Sequence, residues 1–240
     1  MRRRRSAPRV FTAIAAGVAA ACVGGTAHAF PPYRSTDAGT ADPYDLELRL
    51  GLARLERKAG RTNVLSPLVR ANLGLPRGFE LVSELEYSPR ADDLADGAIG
   101  AKWASAPGPL SVGLEALALL PVSHASSGVG IEAQLLATLR RGQGRLHLNA
   151  GGFHDPRGGV DESGWRASAL AEVERDGYRV GLELFGKDSD RGPTDVRAGA
   201  GVIYPVGRFD IRSGVHLGLT RGAPDVVVSL WVATKFPLRD

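Results

Sequence analysis

The sequence predicts an all-β chain: an antiparallel up-and-down transmembrane β-barrel of about 12 strands that follows a cleaved signal peptide. Three observations carry that expectation. Apolar residues recur at every second position in one run after another, with charge and glycine between them. The runs are about ten residues long, the length at which a tilted strand crosses a bilayer. Brief and longer connections alternate along the chain.

The pattern is cleanest from Tyr178 to Leu219. Tyr178, Val180, Leu182 and Leu184 share one face, with Arg179, Gly181 and Glu183 on the other. Val196, Ala198, Ala200, Val202 and Tyr204 repeat this, and so do Phe209, Ile211, Val215, Leu217 and Leu219. A soluble sandwich also alternates, but with its apolar face inward. Strands of this length whose polar face carries charge and glycine place the apolar face toward lipid and the charged face in an enclosed lumen.

From the start of the chain, Arg2 to Arg5 and Arg9 precede an apolar run, Val10 to Val23, and then Ala27-His28-Ala29. A basic region, a short apolar core and a small-x-small site make residues 1–29 a signal peptide. Without it, twenty-five basic residues face twenty-six acidic ones, so the basic character of the whole chain lies in the leader and implies no nucleic-acid partner. The single cysteine, Cys22, leaves with the leader, which excludes disulfides and thiolate metal sites from the remainder. Residues 30–44 are rich in Pro, Gly, Asp and Thr and read as an extended N-terminal arm, folded into the lumen or hanging free.

Residues 45–240 are expected to form the barrel. The predicted strands are 46–55, 64–73, 79–87, 95–103, 110–120, 131–139, 146–153, 165–173, the three described above, and 226–236. Pro67 weakens the second, because proline has no N–H for a ladder. Short connections follow every even strand, which places the short turns and both ends of the barrel on the periplasmic side. Phe79, Trp103, Tyr178, Tyr204, Phe209 and Phe236 then fall at one interface and Tyr87 and Trp165 at the other, as an aromatic girdle requires.

The residues expected to line the lumen are Glu47, Arg49, Glu84, Glu86, Lys102, Glu115, Glu132, Arg166, Arg179, Glu183, Arg197, Arg212, His216 and Lys235. Closure of the barrel predicts that Glu47 and Lys235 are neighbours. No cofactor or metal is expected, since His147, His154 and His216 lack ligand spacing.

Several short runs resemble the outer-membrane barrel family labelled "MetA-pathway of phenol degradation". They are Phe30-Pro31-Pro32-Tyr33 with Thr36-Asp37-Ala38 and Leu46-Glu47-Leu48, the segment Asp96 to Trp103, Leu120-Pro121, and Leu146 to Gly151. The resemblance implies an outer-membrane barrel that passes small compounds, aromatic or apolar ones among them. The tail departs from barrels that end on an aromatic residue, because Pro237 to Asp240 follow Phe236.

The leading expectation is therefore a passive porin-like channel of the cell outer membrane, and not an enzyme. Its partners would be outer-membrane lipid, a small-molecule solute, and the export and barrel-assembly machinery. One alternative is a lipid-hydrolysing barrel. His124-Ala125-Ser126-Ser127-Gly128 resembles the His-x-Ser-x-Gly run of outer-membrane phospholipase A, with His124 and Ser126 as base and nucleophile. Ser127 stands where that family has asparagine, and the run falls in a loop. The other alternative is a closed structural barrel.

Overall fold

The computed structural model describes residues 31–124 and 126–239; the expected leader, 1–29, lies outside them. The strands are β1 (Asp45–Lys58), β2 (Arg61–Leu65), β3 (Leu68–Leu75), β4 (Phe79–Ser88), β5 (Asp93–Ala104), β6 (Leu110–Leu119) and β7 (Gly130–Arg141). They continue with β8 (Gly144–Asp155), β9 (Glu162–Arg175), β10 (Tyr178–Ser189), β11 (Asp195–Val206), β12 (Phe209–Gly218) and β13 (Val226–Pro237). From β3 onward each pairs antiparallel with the next, and β13 returns to β1, with Glu47 opposite Lys235. Because β2 and β3 both pair with β1, they are two halves of one stave, and the closed wall has twelve staves.

The split in that stave lies at Ser66-Pro67. Proline leaves the neighbouring carbonyl of Leu52 without its ladder donor. The Ser66 hydroxyl donates to that carbonyl instead, at 2.6 Å. On its other edge β1 carries a bulge here: Gly51 pairs with Trp231 and Ala53 with Leu230, which leaves Leu52 surplus. The expected loop at 57–63 is instead a tight hairpin. Ala59 and Gly60 both have positive φ, +49° and +77°, the backbone of a turn that keeps right-twisted strands paired. The polar residues on either side extend the ladder without apolar alternation, so periodicity could not mark it.

The two faces of the wall decide what kind of barrel this is. Leu135 and Leu182 are 68% and 70% exposed, whereas Arg49 and Lys102 are each 1% exposed. Leucines and valines form the outer surface around the wall, and Trp103, Tyr204, Phe209 and Phe236 stand exposed at the end of the short connections. An apolar exterior with charge inside suits hydrocarbon, and closure satisfies every backbone group that water cannot reach there. The short connections, 76–78, 105–109, 142–143, 176–177 and 207–208, share one rim. The opposite rim carries 89–92, 120–129, 156–161, 190–194 and 219–225 with the tight 59–60 hairpin.

Candidate functional site: the lumen and its arm

The arm enters the lumen at the short-turn rim. Its root is fixed where the barrel closes. Tyr44 donates its N–H to the Gly74 carbonyl (2.8 Å), its carbonyl accepts from Leu238 N–H (2.9 Å), and Arg239 lies 4.1 Å over its ring. From there the chain crosses the interior and makes hydrogen bonds to one wall strand after another. Ala41 N–H donates to Glu80 on β4 (2.6 Å), and Ala38 N–H to the Thr138 hydroxyl on β7 (2.8 Å). Asn149 on β8 reads the Thr36 backbone twice, accepting its N–H and donating to its carbonyl, both at 2.8 Å. Asp37 and Lys102 form a fully buried ion pair at 3.2 Å.

The strongest anchor is Glu183 on β10. Its carboxylate accepts the Arg34 N–H (2.9 Å), the Ser35 N–H (2.5 Å) and the Ser35 hydroxyl (2.6 Å), and it lies 2.6 Å from Nε2 of His216. Such charge-assisted bonds are about twice as strong as neutral ones. At the arm tip, Tyr33 donates its hydroxyl to the Gly201 carbonyl (2.7 Å) and packs on Leu170 and Ile203.

The tip fits because the wall beneath it has no side chains. A Cβ at Gly181 would lie 2.7 Å from Oη of Tyr33, one at Gly201 2.7 Å from Cγ of Pro32, and one at Gly214 2.6 Å from Cβ of Pro32. These glycines sit on three adjacent strands and form a flat seat. Gly214→Leu is expected to displace the tip at a cost of about 1–3 kcal/mol, the range for overpacking. Hydrogen exchange would then quicken at residues 33–36 while the wall amides stay protected; unchanged exchange would mean the seat does not hold the arm.

The structure distributes the predicted lumen residues over three levels. Near the short-turn rim, Glu47 pairs with Arg49 and with Lys235, the latter at 2.9 Å. Arg179 is buried on the same rim's inner face. Along the arm, Lys102 meets Thr36 and Asp37, Glu183 meets Arg34 and Ser35 with His216 behind it, and Arg212 reaches the Pro31 carbonyl (3.4 Å) and Asp210 (2.9 Å). Glu115 accepts from Arg70 (3.1 Å) and Gln134 (2.9 Å), and Arg70 also pairs with Glu84. Toward the other rim lie Glu86, Glu132, Arg166 and Arg197, with Arg166 paired to Glu132 and Arg197 to Asp195 (2.5 Å).

Above the arm lies a vestibule, a cavity of about 310 Å³ on the side of the longer-loop rim, with Pro31 to Arg34 in its floor. Several of its side chains were not among those expected. The bulge at Leu52 turns Arg54 and Glu56 inward, and Arg54 forks onto Glu86 at 2.5 and 2.6 Å. Phe153 and Phe185 also face inward, and Lys187 stands 4.4 Å over the Phe153 ring. At the mouth, Arg157 bends in from its loop and donates to Asp155 (2.8 Å), Asp96 (2.6 Å) and the Leu120 carbonyl (3.2 Å). The bonds to Asp155 first, opposed by partial burial, and then those to Asp96 raise the Arg157 pKa above its ordinary value.

His124 and Ser126 each have other partners. His124 is exposed on the 120–129 loop and its Nδ1 meets Asp93 at 2.9 Å. The Ser126 hydroxyl donates to the Ser123 carbonyl (2.9 Å) and accepts the Ser123 N–H (3.1 Å), so it is engaged in a local turn. Among the described residues no cluster of three or more metal-ligating side chains occurs. His147, buried, instead sits between Thr138 and Glu172, at 3.0 Å from each.

No family model matches the sequence, and no curated protein matches it. Solved structures do. The NanC porin aligns with a TM-score of 0.57 at 11% identity, covering 80% of this chain and 100% of that one. A porin aligns at TM-score 0.44 and 15% identity over 71% of this chain, and the DcaP channel of Acinetobacter baumannii at 0.38 and 16% over 74%. This chain spans 62% and 64% of the length of those two. The likeness to NanC is one of fold, and together with the apolar exterior it identifies a closed outer-membrane barrel.

Proposed function

We propose that the protein is an outer-membrane channel for small solutes, which collect in the vestibule and pass when the arm yields. The observation that carries this reading is how the arm is held. It spans the lumen from β4 to β12, yet its hold among the described residues is a row of hydrogen bonds, one buried ion pair and a small glycine seat, with its root at Tyr44. A barrel with a purely structural role could fill its centre with wall side chains, as narrow barrels do. The resemblance to the phenol-degradation barrels supports aromatic or apolar compounds among the solutes, and Phe153 and Phe185 give the vestibule two ring faces for them.

Deleting residues 31–43 tests the reading. In planar bilayers the full chain is expected to conduct in brief, small openings. The shortened chain should conduct steadily, with unit conductance several-fold higher. Silence from both proteins would favour the closed structural barrel, and equal conductance would show that the arm does not obstruct the path.

A further inference from the structure

The vestibule floor contains a cation unlike the others around it. Arg54 is paired with Glu86, Arg157 with Asp96 and Asp155, Arg166 with Glu132, Lys187 with Glu162, and Arg197 with Asp195. The Arg34 guanidinium has no ion pair among the described residues. Its side chain is exposed to the vestibule, and it lies over the Phe185 ring at 5.3 Å, sharing that ring with Arg197 at 5.9 Å. Its backbone is fixed by the Glu183 bond, between the buried residues Tyr33 and Ser35. An unpaired guanidinium held in place, beside a second cation and on an aromatic face, is a receptor for a planar anion.

The geometry points to an anion site on the vestibule floor, centred on Arg34 and backed by Arg197 and Phe185, that takes a small organic monocarboxylate. The planar fork of arginine matches a carboxylate with two parallel hydrogen bonds. The carboxylates above, Glu56, Glu86, Asp96 and Glu132, are each paired with an arginine, and what repulsion they keep grows with the charge of the ligand, so a monoanion is disfavoured least. The volume, about 310 Å³, suits a molecule of about one ring. Because Arg34 belongs to the arm, the solute would be read by the same segment that obstructs its path. The inference uses the vestibule of the proposed channel and not its conductance, so a protein that binds but does not conduct would retain it.

Calorimetric titration of the full chain in detergent, with benzoate, benzamide and inorganic phosphate, tests it. Benzoate is expected to bind about tenfold or more tightly than either of the others, the discrimination typical of a charge-assisted pair. Arg34→Gln should lose that preference, and Arg34→Lys should keep part of it. Heat-modifiable migration of the variants confirms that the barrel still folds, since Arg34 is no part of the wall. Equal binding of benzoate and benzamide, a preference for phosphate, or an unchanged Arg34→Gln would overturn the site.

Discussion

Replacing Glu183 with alanine is expected to free the arm from the lumen while the barrel stays closed. This carboxylate takes two arm N–H groups and one hydroxyl, and it faces His216. Alanine would leave those donors buried without an acceptor, and removing one partner of such a buried charged network costs about 3–5 kcal/mol. The loss falls on the arm, because the β10 ladder to β9 and β11 is made by the backbone alone. Trypsin reports it directly. The bond after Arg34 is shielded when Ser35 is buried, and should be cut at least a hundredfold faster in Glu183→Ala. Glu183→Gln keeps one acceptor oxygen and should fall between. Equal cleavage of all three would show that this anchor does not hold the arm.

Changing the adjacent residue should have a different consequence. Leu182 is 70% exposed in mid-strand, on the face turned to hydrocarbon. Leu182→Arg is expected to cost about 2–4 kcal/mol near the bilayer midplane. The readout is the urea midpoint for insertion into lipid vesicles, followed by heat-modifiable migration. Leu182→Ala should shift it far less. The arm should be unaffected, so trypsin sensitivity after Arg34 stays low in the inserted fraction. Normal insertion of Leu182→Arg would mean that the outer face does not meet lipid. One step along the strand thus separates a residue that stabilises the membrane contact from one that holds the lumen shut.

Alternation made most of the wall legible. Each predicted run corresponds to a stave, and the structure mainly lengthens the ends, where strands rise past the apolar belt and lose their periodicity. The arm's route was not legible, because no local pattern encodes it. Its seat is made of Gly181, Gly201 and Gly214, residues far apart in sequence that the barrel brings side by side. In the sequence such glycines read only as small residues in a strand. The inward turn of Arg54 and Glu56 did have a signal. The leucines of β1 recur at 46, 48, 50 and 52, and then the step to Leu55 is three. An odd step within an alternating run marks a surplus residue. Phe185 hid for a simpler reason: it follows Leu184, and two adjacent apolar residues leave their facing undetermined.

The bulge in β1 also bears on how the gene tolerates change. Against β13, a codon lost at Leu52 would remove the extra residue and leave unbroken alternation; against β2 and β3, where Gly51 faces Leu68 and Arg54 faces Leu65, it would make one residue of Ser66-Pro67 surplus, at the existing break in that stave. The same loss in the middle of β10, where pairing on both edges runs without a shift, would swap oil for charge along half a strand. Length variation among related genes should therefore gather at Leu52 and in the loops of the wider rim.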